Sequence, residues 1–348
     1  MKQSNANPNE KIKIPSKQIP MPTRYIINTA LISIVLILGN MAMASDLIGR
    51  AQRSVIMQVG IYIILAVSLN VVTGYLGQLP LGHAGFMAVG GYAAAIFWKS
   101  GLLPDGAPSI IAGLVISGVV ASIFGIIIGI PALRLRGDYL AIITLGFGEI
   151  IRVAIINLPG ITNGTPGLKN IPKYSTFIVV YLCVIITCIT IHMVMKSRHG
   201  RAILSIKENE IAAEACGINT TYYKVMAFAL SAFFAGVAGA LYAGNQGILV
   251  PSGFNFMASI NILVMVVLGG MGSMIGSIIA AAVLTSLPLA LQAFNDFRMI
   301  IYSTLLIMVM IFKPSGLMGT YDFSMSRIIE KTMNRFFNAN KNKGGIPS

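Results

Sequence analysis

Ten stretches of this chain are apolar for about as long as a helix needs to cross a bilayer, and the polar residues collect between them. A hydrocarbon core of about 30 Å takes about 20 residues of helix. The candidate spans are Tyr25–Ala44, Val55–Thr73, Ala84–Trp98, Ser109–Ile130, Tyr139–Leu158, Ser175–Met195, Val225–Gly244, Met257–Gly270, Ile275–Leu291 and Met299–Phe312. The third and eighth are short enough to be broken or re-entrant. Only 10% of the 348 residues are charged and 55% are hydrophobic, whereas a soluble chain carries about a quarter charged residues. The expected fold is all-α, a polytopic membrane protein of about ten transmembrane helices.

The net charge of +14 would suit nucleic-acid binding, but its placement does not. Residues 1–24 carry Lys2, Lys11, Lys13, Lys17 and Arg24 against Glu10, and the tail from Lys313 carries six basic groups against two acidic ones. Basic residues beside spans mark the cytoplasmic side. Both termini are therefore expected inside, which an even number of spans requires. The same count puts Arg134 and Arg136 inside with the segment Ser197–Tyr223. Lys169 and Lys173, and Arg50 and Arg53 with only Asp46 nearby, are exceptions. The expected organisation is a cytoplasmic tail 1–24, a membrane region 25–313 with a cytoplasmic loop 196–224, and a tail 314–348. Ala42-Met43-Ala44 could pass for a signal cleavage site, but the run before it is longer than a signal core and reads as an uncleaved span. Cys183, Cys188 and Cys216 show no pairing and no metal spacing.

The one long polar segment between apolar runs is Ser197–Asn219. Arg198, Arg201 and Lys207 precede Glu208, Glu210 and Glu214. No Pro or Gly interrupts residues 201–216, so one helix is allowed, with Gly200 and Gly217 as stops. Ala202, Ile203, Ile206, Ile211, Ala212 and Ala215 fall largely on one side of it. The segment suits an amphipathic element at the membrane surface offered to a partner, or a solvated connecting loop.

Small residues recur every fourth position at Gly113, Ser117, Ala121, Gly125 and Gly129, and again at Ser231, Ala235, Gly239, Ala243 and Gly247. Such stripes let helix backbones approach closely in lipid. Four glycines and Pro80 interrupt the apolar region between Thr73 and Gly85, so freed backbone groups must be buried in protein or line a wet cavity. Gly77, Gly82 and His83 are candidate path or gate residues there; the alternative for His83 is a backbone hydrogen bond at a membrane-edge turn. Glu149 and Arg152 lie in an otherwise apolar span, three residues apart, as an internal pair or as path-lining groups. Asn163-Gly164 and Pro166-Gly167 mark Thr162–Leu168 as a turn on the outer side. Gly74-x-x-Gly77 and Gly269-x-x-Gly272 share a spacing that hints at an internal repeat.

These blocks resemble the LivM-type permeases of branched-chain amino acid ABC importers. Gly74, Gly77, Gly82, His83 and Ala84 match a Gly-x-x-Gly-x-x-x-x-Gly-His-Ala signature, although Pro80 stands where the family commonly has Ser. Leu133–Arg152 resembles the segment that separates LivM from its LivH partner. Val267–Ser277 and Lys313–Gly319 are similar to later family segments. Ser197–Asn219 resembles the ATPase-coupling loop: Ala212, Ala213 and Gly217 keep its spacing, and Ile211 replaces its Glu. The resemblance implies that Arg201, Lys207, Glu208, Asn209, Ala212, Ala213 and Gly217 face an ATPase. It also implies a LivH-type permease, two LivG/LivF-type ATP-binding subunits and a soluble substrate-binding protein as partners, in the bacterial inner membrane. Leu, Ile or Val would move inward. A urea or short-amide importer of the same family is the close alternative; a stand-alone secondary transporter is another, and would need no coupling surface. No Walker A pattern, Ser-His-Asp set or zinc spacing is present, so no enzyme activity and no bound cofactor are expected of this chain, with ATP used by partner subunits.

Overall fold

The computed structural model describes residues 39–41, 49–135, 137–291, 300, 303, 304, 307, 308, 311, 312 and 316. The expected N-terminal tail, all of the expected C-terminal tail but Gly316, all of the expected first span but residues 39–41, and half of the expected last span lie outside these residues. Among the described residues the elements are helices: α1 Arg50–Asn70, running into a π-turn Val71–Tyr75; α2 His83–Lys99; α3 Ala107–Ala132; α4 Asp138–Ile156; α5 Phe177–Lys196; α6 Arg198–Glu208; α7 Glu210–Ala215; α8 Thr220–Gln246; α9 Phe256–Gly269; and α10 Met274–Ala290. Single turns occur at Pro159–Thr162 and Pro251–Phe254. Five of the helices are long and apolar enough to cross a membrane, and α9 and α10 are shorter apolar helices. The chain is a polytopic all-α membrane protein.

Burial sorts the helices into two classes. In their most apolar stretch α1 and α8 are 72% buried, whereas α3, α4 and α5 are 22–28% buried. Helix α8 packs on α3, α2 and α1, and α1 packs on α10, α5 and α9. The small-residue stripes account for these contacts. A β-carbon on Gly239 would lie 2.0 Å from the Met87 carbonyl oxygen of α2, and one on Gly90 would lie 2.2 Å from Gly236 Cα. On the other flank, Gly236 meets the Ser117 carbonyl and a β-carbon on Gly125 would meet the Ala232 methyl at 2.6 Å. Small residues therefore line two sides of α8, one toward α2 and one toward α3. Dispersion at backbone contact distance holds such helices together where lipid supplies no hydrophobic drive.

The third expected span, α2, is itself unbroken; the interruption lies before it. Ser68 precedes Gly74 by six residues, about 9 Å at 1.5 Å per residue. Because His83 meets Ser68 side chain to side chain, residues 76–82 run back along α1 before α2 starts. At the opposite end, Leu168 and Leu249 form an isolated antiparallel bridge with two 2.9 Å hydrogen bonds, and Tyr92 donates to the Leu249 carbonyl. The turn 162–168 is thereby fastened to the protein: Thr162, Gly164, Gly167 and Leu168 are buried, while Asn163, Thr165 and Pro166 stay exposed.

The segment 201–216 is not one helix. It breaks at Asn209, whose backbone is extended and whose side chain accepts from the Ala212 N–H at 3.1 Å. A short polar side chain that caps a new helix competes with continuation of the old one. Gly200 is no stop either: it lies inside α6, where a β-carbon would be 2.1 Å from the Met195 carbonyl oxygen.

Candidate functional site

Two sets of residues carry the features of a working site. The first is where α6–α7 meets the membrane helices. α6 turns Gly200, Ala202, Ile203 and Ile206 into the protein and leaves Arg198, Arg201, Lys207 and Glu208 exposed. α7 is fastened to the start of α8 by two acids. Glu210 pairs with Lys224 at 2.7 Å, the lysine side chain being only 4% exposed, and Glu214 accepts from Thr220 Oγ1 at 2.6 Å. α7 ends in a Schellman turn: Ile218 N–H bonds the Ala213 carbonyl and Gly217 N–H bonds the Glu214 carbonyl, with Gly217 at φ +81°.

Lys207 reaches furthest. Its Nζ donates to the Gly74 carbonyl at 2.8 Å, in the π-turn that ends α1. An ammonium at the carbonyl end of a helix also opposes the helix dipole. The same π-turn is held from the other side. Asn70 Oδ1 accepts from the Gly272 N–H at 2.9 Å, and its Nδ2 donates to the Ser273 carbonyl at 3.1 Å. Gly74 lies so close to Gly272 that a β-carbon would be 2.1 Å from its nitrogen. Gly77, at φ +77°, passes the Lys207 stem. The glycine pairs that share a spacing thus meet in space, at Gly74 and Gly272.

The second set surrounds the interruption. His83 opens α2, is buried, and lies 3.0 Å through Nε2 from Ser68 Oγ. Because the Ser68 hydroxyl donates to the Leu65 carbonyl at 2.9 Å, it accepts from the imidazole. The freed amides find side-chain hydroxyls: Leu81 N–H donates to Thr144 Oγ1 at 2.9 Å and Ala84 N–H to Ser259 Oγ at 3.1 Å. Gly82 lets this turn touch α4, since a β-carbon there would lie 2.2 Å from the Thr144 carbonyl oxygen. One to two turns further along α4, Arg152 Nε donates to Glu149 Oε2 at 2.6 Å, the side chains being 29% and 33% exposed.

The structure brings Gly77 to Lys207, Gly82 and His83 to α4 and α1, and Glu149 to Arg152. It leaves Arg201 bonded to the Lys196 carbonyl at 3.3 Å, Glu208 exposed and Asn209 serving as a cap. Ala212 is exposed, but Ala213 is buried within this chain, so Ile211, 71% exposed, is the apolar residue that α7 offers outward. Asn70, Ser68, Thr144, Ser259 and Lys224 were not singled out from the sequence, whereas Gly272 was, through its shared spacing with Gly74 and Gly77. Lys224, a lone cation at the head of an apolar span, carried the one readable signal; the hydroxyls and the amide look like ordinary helix residues.

The family profile described as the permease component of branched-chain amino acid transport systems matches residues 53–312. The LivM high-affinity branched-chain amino acid permease protein of Salmonella typhimurium is 35% identical over 314 residues, covering 78% of this chain and 71% of that protein. Its Escherichia coli counterpart is 36% identical over 300 residues, covering 74% and 68%. The LivH permease protein of Escherichia coli is 25% identical over 281 residues, covering 74% and 91%. No solved structure matches. With most of its membrane region inside the profile and its relatives matched over most of their length, the chain belongs to the family of branched-chain amino acid transport system permease components.

Proposed function

We propose that this chain is the LivM-type half of an ATP-driven importer that moves Leu, Ile or Val inward across the cytoplasmic membrane. It works with a LivH-type permease, two ATP-binding subunits and a soluble receptor, and has no ATPase site of its own. Both termini lie in the cytoplasm. The observation that carries the reading is the Lys207–Gly74 hydrogen bond. It ties an exposed amphipathic element directly to the helix end that precedes the interruption. Motion of a partner against α6–α7 then reaches α1 through Lys207, and α8 through Glu210–Lys224 and Glu214–Thr220. Helix α8 passes it on to α2 and α3, because backbone-to-backbone contacts transmit displacement with little give. This is a shift of packed helices that exposes a path alternately to either side.

The test is a reconstituted complex in which leucine uptake and ATP hydrolysis are measured together. Lys207→Met should assemble normally, hydrolyse ATP and lose at least tenfold in uptake, with partial recovery in Lys207→Arg. Wild-type uptake in Lys207→Met would remove the link. Uptake of urea without leucine by the unsubstituted complex would change the substrate, and uptake without ATP would change the class. Orientation is checked separately: a cysteine at exposed Thr165 should label from outside intact cells, and one at exposed Asn209 should not.

A further inference from the structure

Helices α3, α4 and α5 are equally peripheral, yet their open faces differ. α3 exposes Ile111, Val115, Val119, Ile123 and Ile127, and α5 exposes Ile178, Leu182, Ile186, Ile189 and Met193. Such faces suit lipid. α4 exposes Tyr139, Ile142, Ile150 and Val153, but on the flank of that face it carries Glu149 and Arg152. At 1.5 Å per residue the two lie about 16 and 21 Å from Asp138 on a helix about 28 Å long. A charged pair that far along a membrane helix and a third exposed is not lipid-facing.

A dry protein contact fits little better. The pair makes one hydrogen bond, Nε to Oε2, and among the described residues no other partner of either side chain is found. A guanidinium has five N–H donors, and leaving the rest unmet in a dry interface is costly. Water, a polar ligand or the polar groups of another chain must meet them, and the first two need a wet face. There is room: Gly146 lies on the open face, and a β-carbon there would meet no atom within 4 Å. The site also adjoins the interrupted helix, since Gly148 touches Gly85 at the start of α2.

We propose that Glu149 and Arg152 form a way-station for the two charges of a zwitterionic α-amino acid on a wet path along α4, a site that rests on the transport reading above. The substrate carboxylate takes the Nη donors of Arg152, its ammonium takes Glu149 Oε1, and its aliphatic side chain lies over Gly146 against Ile142, Ile150 and Val153. The pair holds itself neutral when empty, so the site needs no counter-ion between passages. Binding there is weak, because the substrate competes with the existing ion pair; a way-station must release what it holds.

The test uses the full complex with Cys216→Ser, which removes the exposed cysteine. Ile150→Cys should react with a membrane-impermeant thiol reagent, and leucine-loaded receptor should slow that reaction severalfold. Glu149→Gln with Arg152→Gln should assemble and hydrolyse ATP, yet lose at least tenfold in leucine uptake. The charge-swapped pair, Glu149→Arg with Arg152→Glu, should recover part of it, because both signs are still present. An unlabelled Ile150→Cys, or leucine uptake by the doubly neutral variant at the wild-type rate, would overturn the proposal and leave a structural pair covered by another chain. If the doubly neutral variant does not assemble, the swapped pair and the leucine protection of Ile150→Cys still decide. Loss of protection with uptake intact counts against the site. Absence of leucine uptake in the unsubstituted complex counts instead against the transport reading.

Discussion

The α2–α8 contact and the α6–α7 element are fastened by opposite means. Where α8 crosses α2, glycines bring backbone against backbone, and no side chain can turn away to relieve a displacement. Where α6–α7 meets the membrane helices, long side chains reach across beside the packed face of α6: Lys207 to the end of α1, and Glu210 and Glu214 to the start of α8. Long side chains keep a bond while their ends shift by an ångström or more; close-packed backbones do not. The first kind of contact suits a body that moves as one piece, and the second suits a joint between that body and a partner. The two are in series, since Lys224 and Thr220 lie on the first turns of the same helix that carries Gly236 and Gly239.

The largest effect should come from breaking the rigid contact. Gly239→Leu puts a branched side chain where even a β-carbon would be 2.0 Å from the Met87 carbonyl oxygen. Overpacking in a core costs about 1–3 kcal/mol when side chains can adjust; here the obstacle is backbone, so the cost exceeds that range. Little folded chain should be recovered from membranes, in a detergent-extraction and size-exclusion assay. Gly125→Leu should be milder, since its nearest obstacle is the Ala232 methyl. Equal yields for both variants would mean that backbone contact does not set the rigidity.

Much of the rigid part was legible beforehand, because periodicity and residue size are written along the chain. The eight spans that fall in described residues appear within a few residues of their expected ends, and the small-residue stripes lie on the packed faces. The joint was less legible. Its break depends on one Asn capping the next turn, and residue types alone allow a continuous helix from 201 to 216. The partners of Lys207 and Asn70 lie 133 and 203 residues away and include backbone carbonyls, which leave no trace in composition. Glu149–Arg152 was readable as a pair from spacing; that it flanks an open face needed the packing of α4.

A second prediction separates the joint from its partner surface. Ala213 keeps the spacing of a coupling loop, and from sequence alone Ala213→Arg would be expected to clash only with a partner. Its burial within this chain changes that expectation. Ala213→Arg should loosen α7 itself, seen as faster proteolysis between α6 and α8 without any partner present. Ile211→Arg, at an exposed position two residues earlier, should leave proteolysis unchanged and weaken co-purification of the ATP-binding subunits severalfold. If Ala213→Arg resists protease as wild type does, α7 is held by Glu210 and Glu214 alone and its apolar contact contributes little.

The smallest effect should come from Gly217, and it asks what the joint requires of its backbone. At φ +81° the residue closes the Schellman turn of α7, and a β-carbon added there would meet nothing within 4 Å. Size is therefore not the constraint; the left-handed backbone is. A non-glycine residue held there costs on the order of 1 kcal/mol, with Asn tolerated better than Ala and a β-branched side chain worst. The expected order of destabilisation is Val, then Ala, then Asn, read as the midpoint of α7 protection in urea. Asn is larger than Ala, so an order that follows volume would place an unseen neighbour, such as the partner, against this turn. An order that follows tolerance of positive φ would mean that the turn shapes α7 before any partner arrives. In that case Gly217→Ala should lower ATP-subunit association only as far as it loosens α7, and the two measurements should fall on one line across the three variants.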